Sequence, residues 1–229
     1  VRNTGVFLYE NGLAGTIQHV DMATYERNTE AADTENKYIF PCKNTGRICV
    51  FTNTGQLHTI KVSDLPFGKF RDKGIPLDNV SNYSAEKEHI LLATGQSQLN
   101  MYRVIFGTKL SMLKIVDGGE FDVSKRTVAA TKLQDGDEVV SVAVWKEQTN
   151  IVLQTAGGYF LRFPIEEIPE KKKGAVGVRG MKLGNKDYVE NIHYTQNTVE
   201  QWIEYKGKRM ELNRLKAGKR DSKGTKPRG

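Results

Sequence analysis

The sequence predicts an all-β protein, a propeller-like disc of about five four-stranded blades, and three observations support this class. Pairs of apolar strands joined by a short turn recur along the chain. Equivalent apolar positions in these repeats are 43, 55, 47 and 50 residues apart, spacings that are typical of propeller blades. No segment carries an apolar stripe at the spacing of a long helix.

Each repeat consists of an apolar strand, a turn with glycine or a small polar residue, a second strand of alternating character and a loop with glycine, lysine or arginine. The five repeats cover residues 7–20, 49–62, 104–116, 151–165 and 201–215. A single blade cannot cover its apolar face, so we expect neighbouring blades to stabilise one another by stacking around a ring.

The fourth repeat carries the strongest strand signal. Gly157 and Gly158 can take the positive φ angles of a tight hairpin turn. After the turn Arg162 is predicted on one face, and the alternating apolar residues on the other are Tyr159, Leu161, Phe163 and Ile165. The fifth repeat alternates in the same way around Gly207.

Two parts of the chain fit the repeats less well. Residues 23–38 predict a loop with at most one or two helical turns. The fifth repeat has no apolar residues after Leu215, so we expect its blade to take strands from elsewhere, such as residues 1–10, and a distorted sixth blade is the alternative. We expect one domain over residues 1–215 and a flexible basic tail over residues 216–229.

Composition predicts a soluble globular protein, with 38% hydrophobic and 27% charged residues and no apolar run near the roughly 18 residues of a membrane span. The chain begins Val1-Arg2-Asn3 without an initiator Met or an apolar leader, which predicts a fragment of a longer protein with no secretory signal. Cys42 and Cys49 are too far apart for a CxxC motif and suit buried positions in a reducing cytosol.

The formal net charge of +7 is concentrated in two late segments. Residues 206–229 sum to +8 and residues 169–186 to +5, so the rest of the chain sums to −6. Such basic segments are either solvated surface or binding sites for phosphate backbones.

Motifs for other chemistry are absent from the sequence. Neither GxxxxGK[ST] nor GxGxxG occurs. The histidines lack metal-ligand spacing, and the carboxylates of the DGGEFD segment (117–122) predict a turn. We therefore expect no catalytic residue, metal or cofactor in this chain.

The fourth repeat and the loop after it read VLQTAGGYFLRFPIEEIPEKKKGAVGVRGMKL, which combines a hairpin, an Ile-Pro step, a basic stretch and a G-x-R-G loop. Related stretches are FTNTGQLHTIKVSDLPFGKFRDKGIPL and VDGGEFDVSKRTVAATKLQDGDEVVSV. This combination resembles the C-terminal β-pinwheel domain of bacterial type IIA topoisomerase A subunits, those of gyrase and topoisomerase IV. The resemblance covers essentially the whole chain.

The resemblance implies a noncatalytic domain that binds and bends duplex DNA along its rim. The parent would be an ATP-dependent type IIA DNA topoisomerase, in which the N-terminal part of the A subunit carries the catalytic tyrosine and the B subunit hydrolyses ATP. ATP and Mg²⁺ are thus implied for the whole enzyme only. The implied partners are double-stranded DNA, a second A subunit, which forms a homodimer outside this domain, and the ATPase B subunit, with no membrane. The implied location is the cytoplasm at the nucleoid.

Basic loops at comparable places in three repeats are the predicted DNA contacts. Lysine and arginine displace counterions from phosphates, and glycine lets the backbone approach closely. Contacts of this kind position a duplex without reading its sequence. The predicted residues are Lys171, Lys172, Lys173, Gly174, Gly177, Arg179, Gly180, Lys182, Lys69, Arg71, Lys73, Lys125 and Arg126.

Two neighbouring features of these loops are predicted differently. Phe67 and Phe70 are expected in the blade core rather than as platforms for base stacking. The tail 216–229 has no apolar periodicity, and it either extends the DNA path or ends in solvent.

The first blade departs from the gyrase pattern. Gyrase A subunits carry there a box of Gln, basic residues and paired glycines, which the family uses to wrap DNA in a chiral loop. The corresponding segment here, TYERNTEAADTEN, has no glycine, and Arg27 is outnumbered by Glu26, Glu30, Asp33 and Glu35. Because acids repel phosphates, the sequence favours a topoisomerase IV-like parent that decatenates and relaxes DNA. A gyrase parent that introduces negative supercoils is the alternative.

Two hypotheses of other classes stay open from the sequence. A propeller-like protein-interaction module would use the acidic first half to bind a basic partner, and would lose that partner when Glu30 and Asp33 are neutralised. A self-sufficient enzyme with its site in a central channel would require an activity from this chain alone.

Overall fold

The computed structural model describes residues 1–11, 14–32 and 37–228 of the 229-residue chain. The chain folds into two compact units. The first contains Val1–Tyr102 and Gly118–Ala130, and the second contains Arg103–Asp117 and Thr131–Gly229. Both consist mainly of antiparallel hairpins with short 3₁₀ turns, and the α-helices of the described residues lie in the first unit. This architecture confirms the predicted all-β, pinwheel-type fold class.

The strands follow the repeats of the sequence. The first nine are β1 (Asn3–Asn11), β2 (Ala14–Asp21), β3 (Tyr38–Lys43), β4 (Arg47–Thr52), β5 (Gln56–Lys61), β6 (Ile75–Pro76), β7 (Ile90–Gly95), β8 (Arg103–Thr108) and β9 (Met112–Asp117). The next ten are β10 (Thr127–Ala129), β11 (Val139–Trp145), β12 (Asn150–Thr155), β13 (Phe160–Pro164), β14 (Val178–Arg179), β15 (Met181–Lys182), β16 (Val189–Thr195), β17 (Trp202–Tyr205), β18 (Lys208–Glu211) and β19 (Ser222–Lys223). The five repeats form the hairpins β1–β2, β4–β5, β8–β9, β12–β13 and β17–β18.

The helices are short. They are α1 (Met22–Ala32), α2 (Leu77–Val80) and α3 (Gln96–Leu99), together with the 3₁₀ turns Val62–Asp64, Gly118–Phe121, Ile165–Glu167 and Leu212–Arg214. Within the described ranges no helix has the length and apolar character needed to cross a membrane.

Two four-stranded sheets form the described part of the first unit, in the orders β3-β1-β2-β6 and β10-β5-β4-β7. Alternation along β1 assigns the faces of the first sheet. Val6 and Leu8 join the main apolar core of the unit, whereas Phe7 between them packs on the other face with Tyr25 and Phe70.

The second unit contains the four-stranded sheet β11-β8-β9-β14 and the three-stranded sheet β13-β12-β16. Their shared core includes Ile105, Leu113, Leu153 and Phe163. Hairpin β17–β18 forms a two-stranded sheet and packs a smaller cluster around Leu212. The last two repeats therefore build smaller sheets than the first three.

The hairpin predicted in the fourth repeat is confirmed. Gly158 has a φ of 91°, and Leu153 lies opposite Leu161 in the register of β12 and β13. Leu161 and Phe163 face the core as expected. The prediction for Tyr159 is wrong, because this residue lies at the turn before β13 begins and is 40% exposed.

A common segment follows each hairpin from the second to the fifth, and we call it a strap. Each strap begins at a 3₁₀ turn. It then pairs with the edge of the sheet that contains the hairpin one repeat earlier in the chain. The straps are residues 62–76, which add β6 to β2; 118–130, which add β10 to β5; 165–182, which add β14 to β9; and 212–228, in which Thr225 pairs with Phe160 of β13.

The first repeat has helix α1 where the other hairpins have a 3₁₀ turn. Its eleven residues, Met22–Ala32, exceed the one or two helical turns predicted within residues 23–38. The Asp21 carboxylate accepts a hydrogen bond of 2.8 Å from the amide of Thr24 and so caps the helix. The ring of Tyr25 stacks on Phe7 at 5.4 Å and fills the space beside Gly5. Residues 33–36, which include the predicted acids Asp33 and Glu35, lie outside the described residues.

Two expectations about the chain ends are also wrong. Residues 1–10 do not complete the fifth blade, because β1 already pairs with β2 on one side and β3 on the other. Residues 216–228 are not a flexible tail. Gly218 donates to the Arg162 carbonyl at 2.7 Å, and Thr225 and Phe160 exchange backbone hydrogen bonds of 2.9 and 2.8 Å, so this segment is part of the second unit.

Candidate nucleic-acid interface

All thirteen predicted DNA contacts lie on three of the four straps. Strap 62–76 carries Lys69, Arg71 and Lys73; strap 118–130 carries Lys125 and Arg126; strap 165–182 carries Lys171, Lys172, Lys173, Gly174, Gly177, Arg179, Gly180 and Lys182. The loops that looked comparable in sequence therefore occupy equivalent places in the fold.

A buried lysine anchors the basic turn of strap 165–182. Lys114 in β9 is 0% exposed, and its ammonium donates hydrogen bonds to the carbonyls of Lys172 (2.9 Å), Lys173 (3.0 Å) and Ala175 (2.8 Å). The same ammonium lies 5.5 Å from the ring centroid of Phe106. The turn is thus held through its backbone oxygens.

The remainder of this strap is fixed by its own backbone. Lys171 donates to the carbonyl of Ile115 at 2.8 Å, and Ala175 donates to that of Lys172 at 3.0 Å, which closes the turn. The side chains of Lys171 and Lys172 are exposed, and that of Lys173 is half-buried. The strap therefore presents a rigid turn with at least two exposed ammonium groups.

The glycines of strap 165–182 have packing roles that the sequence did not predict. Gly177 has a φ of 105°, and a side chain there would come within 2.5 Å of the Leu113 carbonyl oxygen. Gly180 is buried against the Leu113 side chain, and its amide already donates to Ser111 at 2.7 Å. Close approach to a phosphate therefore does not explain these two glycines, whereas Gly174 has open space around it.

Three straps share a backbone device just before their edge strand. Gly74 precedes β6 with a φ of 76°, Gly177 precedes β14 with a φ of 105°, and Asp221 precedes β19 with a φ of 65°. A left-handed residue turns each strap onto the neighbouring strand, and aspartate tolerates that conformation better than most side chains.

Arg179 is paired with a carboxylate of the next strap. Its guanidinium donates to Asp221 through Nε and, at 3.3 Å, through Nη2, and both side chains are exposed. The hydrogen bond and the opposite charge raise the pKa of Arg179 and lower that of Asp221. Strap 165–182 is also joined to strap 212–228 by the parallel pairing of β15 and β19.

Strap 62–76 in the first unit alternates cations with an acid. Lys69, Arg71 and Lys73 are exposed, and the Asp72 carboxylate between them accepts a hydrogen bond of 2.7 Å from the Lys69 amide. The Gln18 amide group holds the strap by donating to the Phe70 carbonyl at 2.8 Å. The net charge of residues 62–76 is only +1.

The two phenylalanines of this strap differ. Phe70 packs edge-on against Phe7 at 5.2 Å, as predicted for a core residue. Phe67 is 52% exposed and stacks on His19 at 4.4 Å, so its predicted place in the core is wrong. Burial lowers the pKa of His19, and the hydrogen bond to the Leu65 carbonyl offsets part of this shift. Because the pKa is lowered, the imidazole that stacks on Phe67 is neutral near pH 7.

Strap 118–130 is anchored by side chains. His58 contacts Thr127 Oγ1 through Nδ1 at 2.8 Å and the Glu88 carboxylate through Nε2 at 3.0 Å. Arg126 Nε donates to Asn82 at 3.4 Å. The positive charges of this strap are cancelled by Glu120 and Asp122, so its formal charge is zero.

The two units differ in formal charge. The sequence of the first unit sums to −1 and that of the second to +8. Within the second unit, residues 212–228 sum to +6. The positive potential expected of a phosphate-binding surface is therefore concentrated on the second unit.

Comparisons with known proteins give a consistent family. Residues 102–146 and 149–196 match the family model described as "DNA gyrase C-terminal domain, beta-propeller". The A subunit of DNA gyrase from Lawsonia intracellularis (strain PHE/MN1-00) is 32% identical over 146 residues, which are 62% of this chain and 17% of that relative. The resemblance to type IIA topoisomerase A subunits is confirmed.

Solved structures with C-terminal domains of type IIA A subunits share the fold. The C-terminal domain of a DNA topoisomerase IV superposes with a TM-score of 0.83 at 22% identity, covering 97% of this chain and 72% of that one. The E. coli ParC C-terminal domain superposes with a TM-score of 0.77 at 15% identity, covering 100% and 95%. The chain spans between 16% and 23% of the length of the gyrase A subunits it matches.

The gyrase-family match contains two straps, 118–130 and 165–182. Helix α1 and the last strap lie outside the matched ranges. These two segments are also where the structure corrects the sequence prediction. The family model therefore accounts for the repeated hairpin and strap in the matched ranges, and not for helix α1 or strap 212–228.

Proposed function

We propose that this chain is a noncatalytic domain of a type IIA topoisomerase A subunit that binds and bends duplex DNA. Strap 165–182 carries the proposal, because a buried ammonium, Lys114, holds its basic turn by three carbonyls while Lys171 and Lys172 are exposed. Because the backbone of this turn is already fixed, binding of a phosphate orders little more than the lysine side chains themselves. The entropic cost of binding is therefore small.

The parent enzyme belongs to the same proposal. Its ATP-dependent strand passage, with ATP and Mg²⁺, would take place on an ATPase B subunit together with other parts of the A subunit. Two A subunits would pair outside this domain. The family match and the share of the relatives that this chain covers support these assignments. The cytoplasm, at the nucleoid, is the place where such an enzyme meets its DNA.

We further propose a topoisomerase IV-like parent, with a gyrase parent as the alternative. The support is helix α1, which replaces the first 3₁₀ turn and exposes Glu26 and Glu30. Carboxylates repel phosphates, so a duplex is not guided onto the first hairpin. Decatenation and relaxation need no chiral wrap that begins at that hairpin, whereas negative supercoiling does.

Titration with salt tests DNA binding directly. The chain is added to a duplex of about 40 base pairs that carries a fluorophore at each end, and energy transfer reports the end-to-end distance. With six to ten phosphate contacts, affinity should fall by roughly 10³–10⁵ between 50 and 200 mM salt. Binding should also raise the energy transfer. Absence of binding at low salt would exclude the proposed function.

Topology assays test the choice of parent. A plasmid is relaxed by a type I topoisomerase in the presence of increasing amounts of the chain, and the linking number of the product is measured. A domain that wraps DNA chirally traps writhe and shifts the linking number in proportion to the amount bound. The topoisomerase IV-like proposal predicts bending without such a shift, and a proportional shift would favour the gyrase alternative.

A further inference from the structure

A basic cleft lies in the second unit between hairpin β17–β18 and residues 226–228. Its volume is about 380 Å³. Five cationic side chains line it, and among the described residues no carboxylate does; the cations are Lys206, Lys208, Arg209, Lys226 and Arg228. We call it the terminal cleft. Its lining matches an anion and would repel a cation.

One wall of the terminal cleft is the turn of the fifth hairpin. Lys206 and Gly207 both have positive φ angles, 51° and 76°, which is the geometry of a two-residue hairpin turn. Tyr205 and Lys208 lie opposite each other across the turn. The guanidinium of Arg209 lies 4.8 Å from the ring of Trp202, which fixes its orientation. The cations of this wall therefore belong to a rigid hairpin.

The opposite wall comes from the end of strap 212–228. The Thr225 backbone is bonded to Phe160, and this positions Lys226, whose ammonium lies 5.2 Å from the ring centroid of Tyr159. Gly158 lies between the walls, and a side chain there would come within 2.7 Å of the Tyr205 hydroxyl. The glycine thus keeps the cleft open.

A second cavity of about 330 Å³ is lined by Thr155 and Tyr159, at the same tip of hairpin β12–β13 that contributes Gly158 to the terminal cleft. Its cations, Lys182 and Lys223, lie opposite each other in the pairing of β15 and β19. Its carboxylate, Asp187, accepts hydrogen bonds from the amides of Gly157 (2.8 Å) and Tyr188 (2.9 Å). Cations of straps 165–182 and 212–228 therefore line two cavities that share this hairpin tip.

We propose that the terminal cleft binds the phosphodiester backbone of the duplex that strap 165–182 binds, so that the DNA path continues over the tip of hairpin β12–β13. This inference rests on the proposed DNA-binding function. It assigns DNA contacts to Lys206, Lys208, Lys226 and Arg228, and it makes residues 216–228 part of the interface.

Charge removal with a matched control tests this proposal in the full chain. The cleft variant is K206Q/K208Q/K226Q/R228Q, and the control removes four exposed cations of the first unit as R27Q/K43Q/K61Q/K87Q. Both change the net charge equally. The cleft variant should bind the 40-base-pair duplex at least about tenfold more weakly at 0.1 M salt, and its log–log salt slope should fall by about 0.9 for each phosphate contact that the substitutions remove. The control should change both quantities less.

The possible results distinguish failure of the cleft proposal from failure of the proposed function. If the wild-type chain does not bind the duplex, the proposed function fails. If it binds and the cleft variant behaves like the control, the proposed function stands and the cleft proposal is overturned. Inorganic pyrophosphate is titrated in parallel, followed by the fluorescence of the two tryptophans, Trp145 and Trp202. Pyrophosphate binding that the cleft variant loses, with unchanged duplex affinity, would assign the cleft to small phosphate ligands and also overturn the proposal.

Discussion

The straps of the two units share a framework and differ in charge. Gly74 in strap 62–76 and Gly177 in strap 165–182 both turn the chain in a left-handed conformation against a carbonyl of the neighbouring strand. The charges that these straps carry are not shared, since the first unit sums to −1 and the second to +8. The framework therefore belongs to the fold, and the affinity for phosphates belongs to particular straps.

The groups that hold the straps in place also differ between the two units. In the first unit a side-chain network of His58, Glu88 and Thr127 holds strap 118–130. Thr59 adds hydrogen bonds from its hydroxyl to the Lys125 carbonyl (2.7 Å) and from its amide to the Arg126 carbonyl (2.9 Å). In the second unit Lys114 holds strap 165–182 through backbone carbonyls and adds a positive charge beneath it. The buried cation therefore lies under the strap of the second unit and not under that of the first.

Replacement of Lys114 should have the largest effect on stability. Lys114→Met removes three charge-assisted hydrogen bonds from a buried site and should lower the free energy of unfolding by about 3 kcal/mol. Lys109→Met is the matched control, because the Lys109 ammonium makes an exposed ion pair with Glu138 at 2.9 Å and lies 5.7 Å from the ring centroid of Tyr188, and its loss should cost less than about 1 kcal/mol. Urea unfolding measures both. Equal losses would show that Lys114 does not anchor the strap.

The two strap glycines should respond alike. Alanine at Gly74 or Gly177 must take a positive φ against a carbonyl oxygen, 2.8 Å away at Gly74 and 2.5 Å at Gly177, and should cost about 2 kcal/mol in either unit. Gly136→Ala, with a φ of 76° and open space, should cost about 1 kcal/mol. Thermal unfolding measures all three. A Gly177→Ala chain with normal stability and weakened DNA binding would instead support close phosphate approach.

The contribution of Glu88 to the stability of the first unit should depend on pH. Burial alone would raise the pKa of Glu88, but hydrogen bonds from His58, the Ser84 amide and Thr52 hold it below its ordinary value. A carboxyl with a lowered folded-state pKa stabilises the fold above its unfolded pKa, about 4.3, and loses that contribution as the pH falls through the folded-state pKa.

Glu88→Gln should therefore cost about 1–2 kcal/mol at pH 7. The difference from the wild type should begin to shrink as the pH falls to about 4.3, where the carboxyl of the unfolded chain takes up its proton, and should go on shrinking through the lower folded-state pKa. Urea titrations at several pH values measure this difference. A constant difference at all pH values would mean that the charge of Glu88 does not contribute.

Removal of the Arg179 partner should have the smallest effect. Asp221→Asn deletes a carboxylate beside the proposed DNA track and keeps a side chain that tolerates the φ of 65°. Affinity for the duplex should rise, by up to about tenfold at low salt. Asp64→Asn on strap 62–76 is the control and should leave affinity almost unchanged. Equal gains from both variants would contradict the difference between the straps.

Much of the fold could be predicted because hairpins are encoded locally. Alternation around Gly158 and Gly207 identified two turns that the structure contains. Helix α1 could not be predicted in this way, because its stability depends on the Asp21 cap and on Tyr25 filling the space above Gly5, a contact between distant parts of the chain.

The site was predictable as a set of loops and not as a set of contacts. Alternation along β9 suggests that the Lys114 side chain faces solvent, whereas it is buried. Nothing nearby in the sequence shows that strap 165–182 covers it. Strap 212–228 is held by backbone hydrogen bonds of Gly218 and Thr225 and by side chains distant in sequence, such as Arg162, whose guanidinium donates to the Leu215 carbonyl. Neither kind of contact leaves a local sequence pattern. The role of that strap in the terminal cleft therefore appears only in three dimensions.

The proposed DNA path follows the straps of the second unit. Its most direct test is the salt slope of duplex binding for two matched variants, K171Q/K172Q/K173Q in strap 165–182 and K69Q/R71Q/K73Q in strap 62–76, each of which removes three cations. We predict a slope reduced by up to about 2.7 for the first variant and by less than about 0.9 for the second. Equal reductions, or a larger one for strap 62–76, would contradict this path.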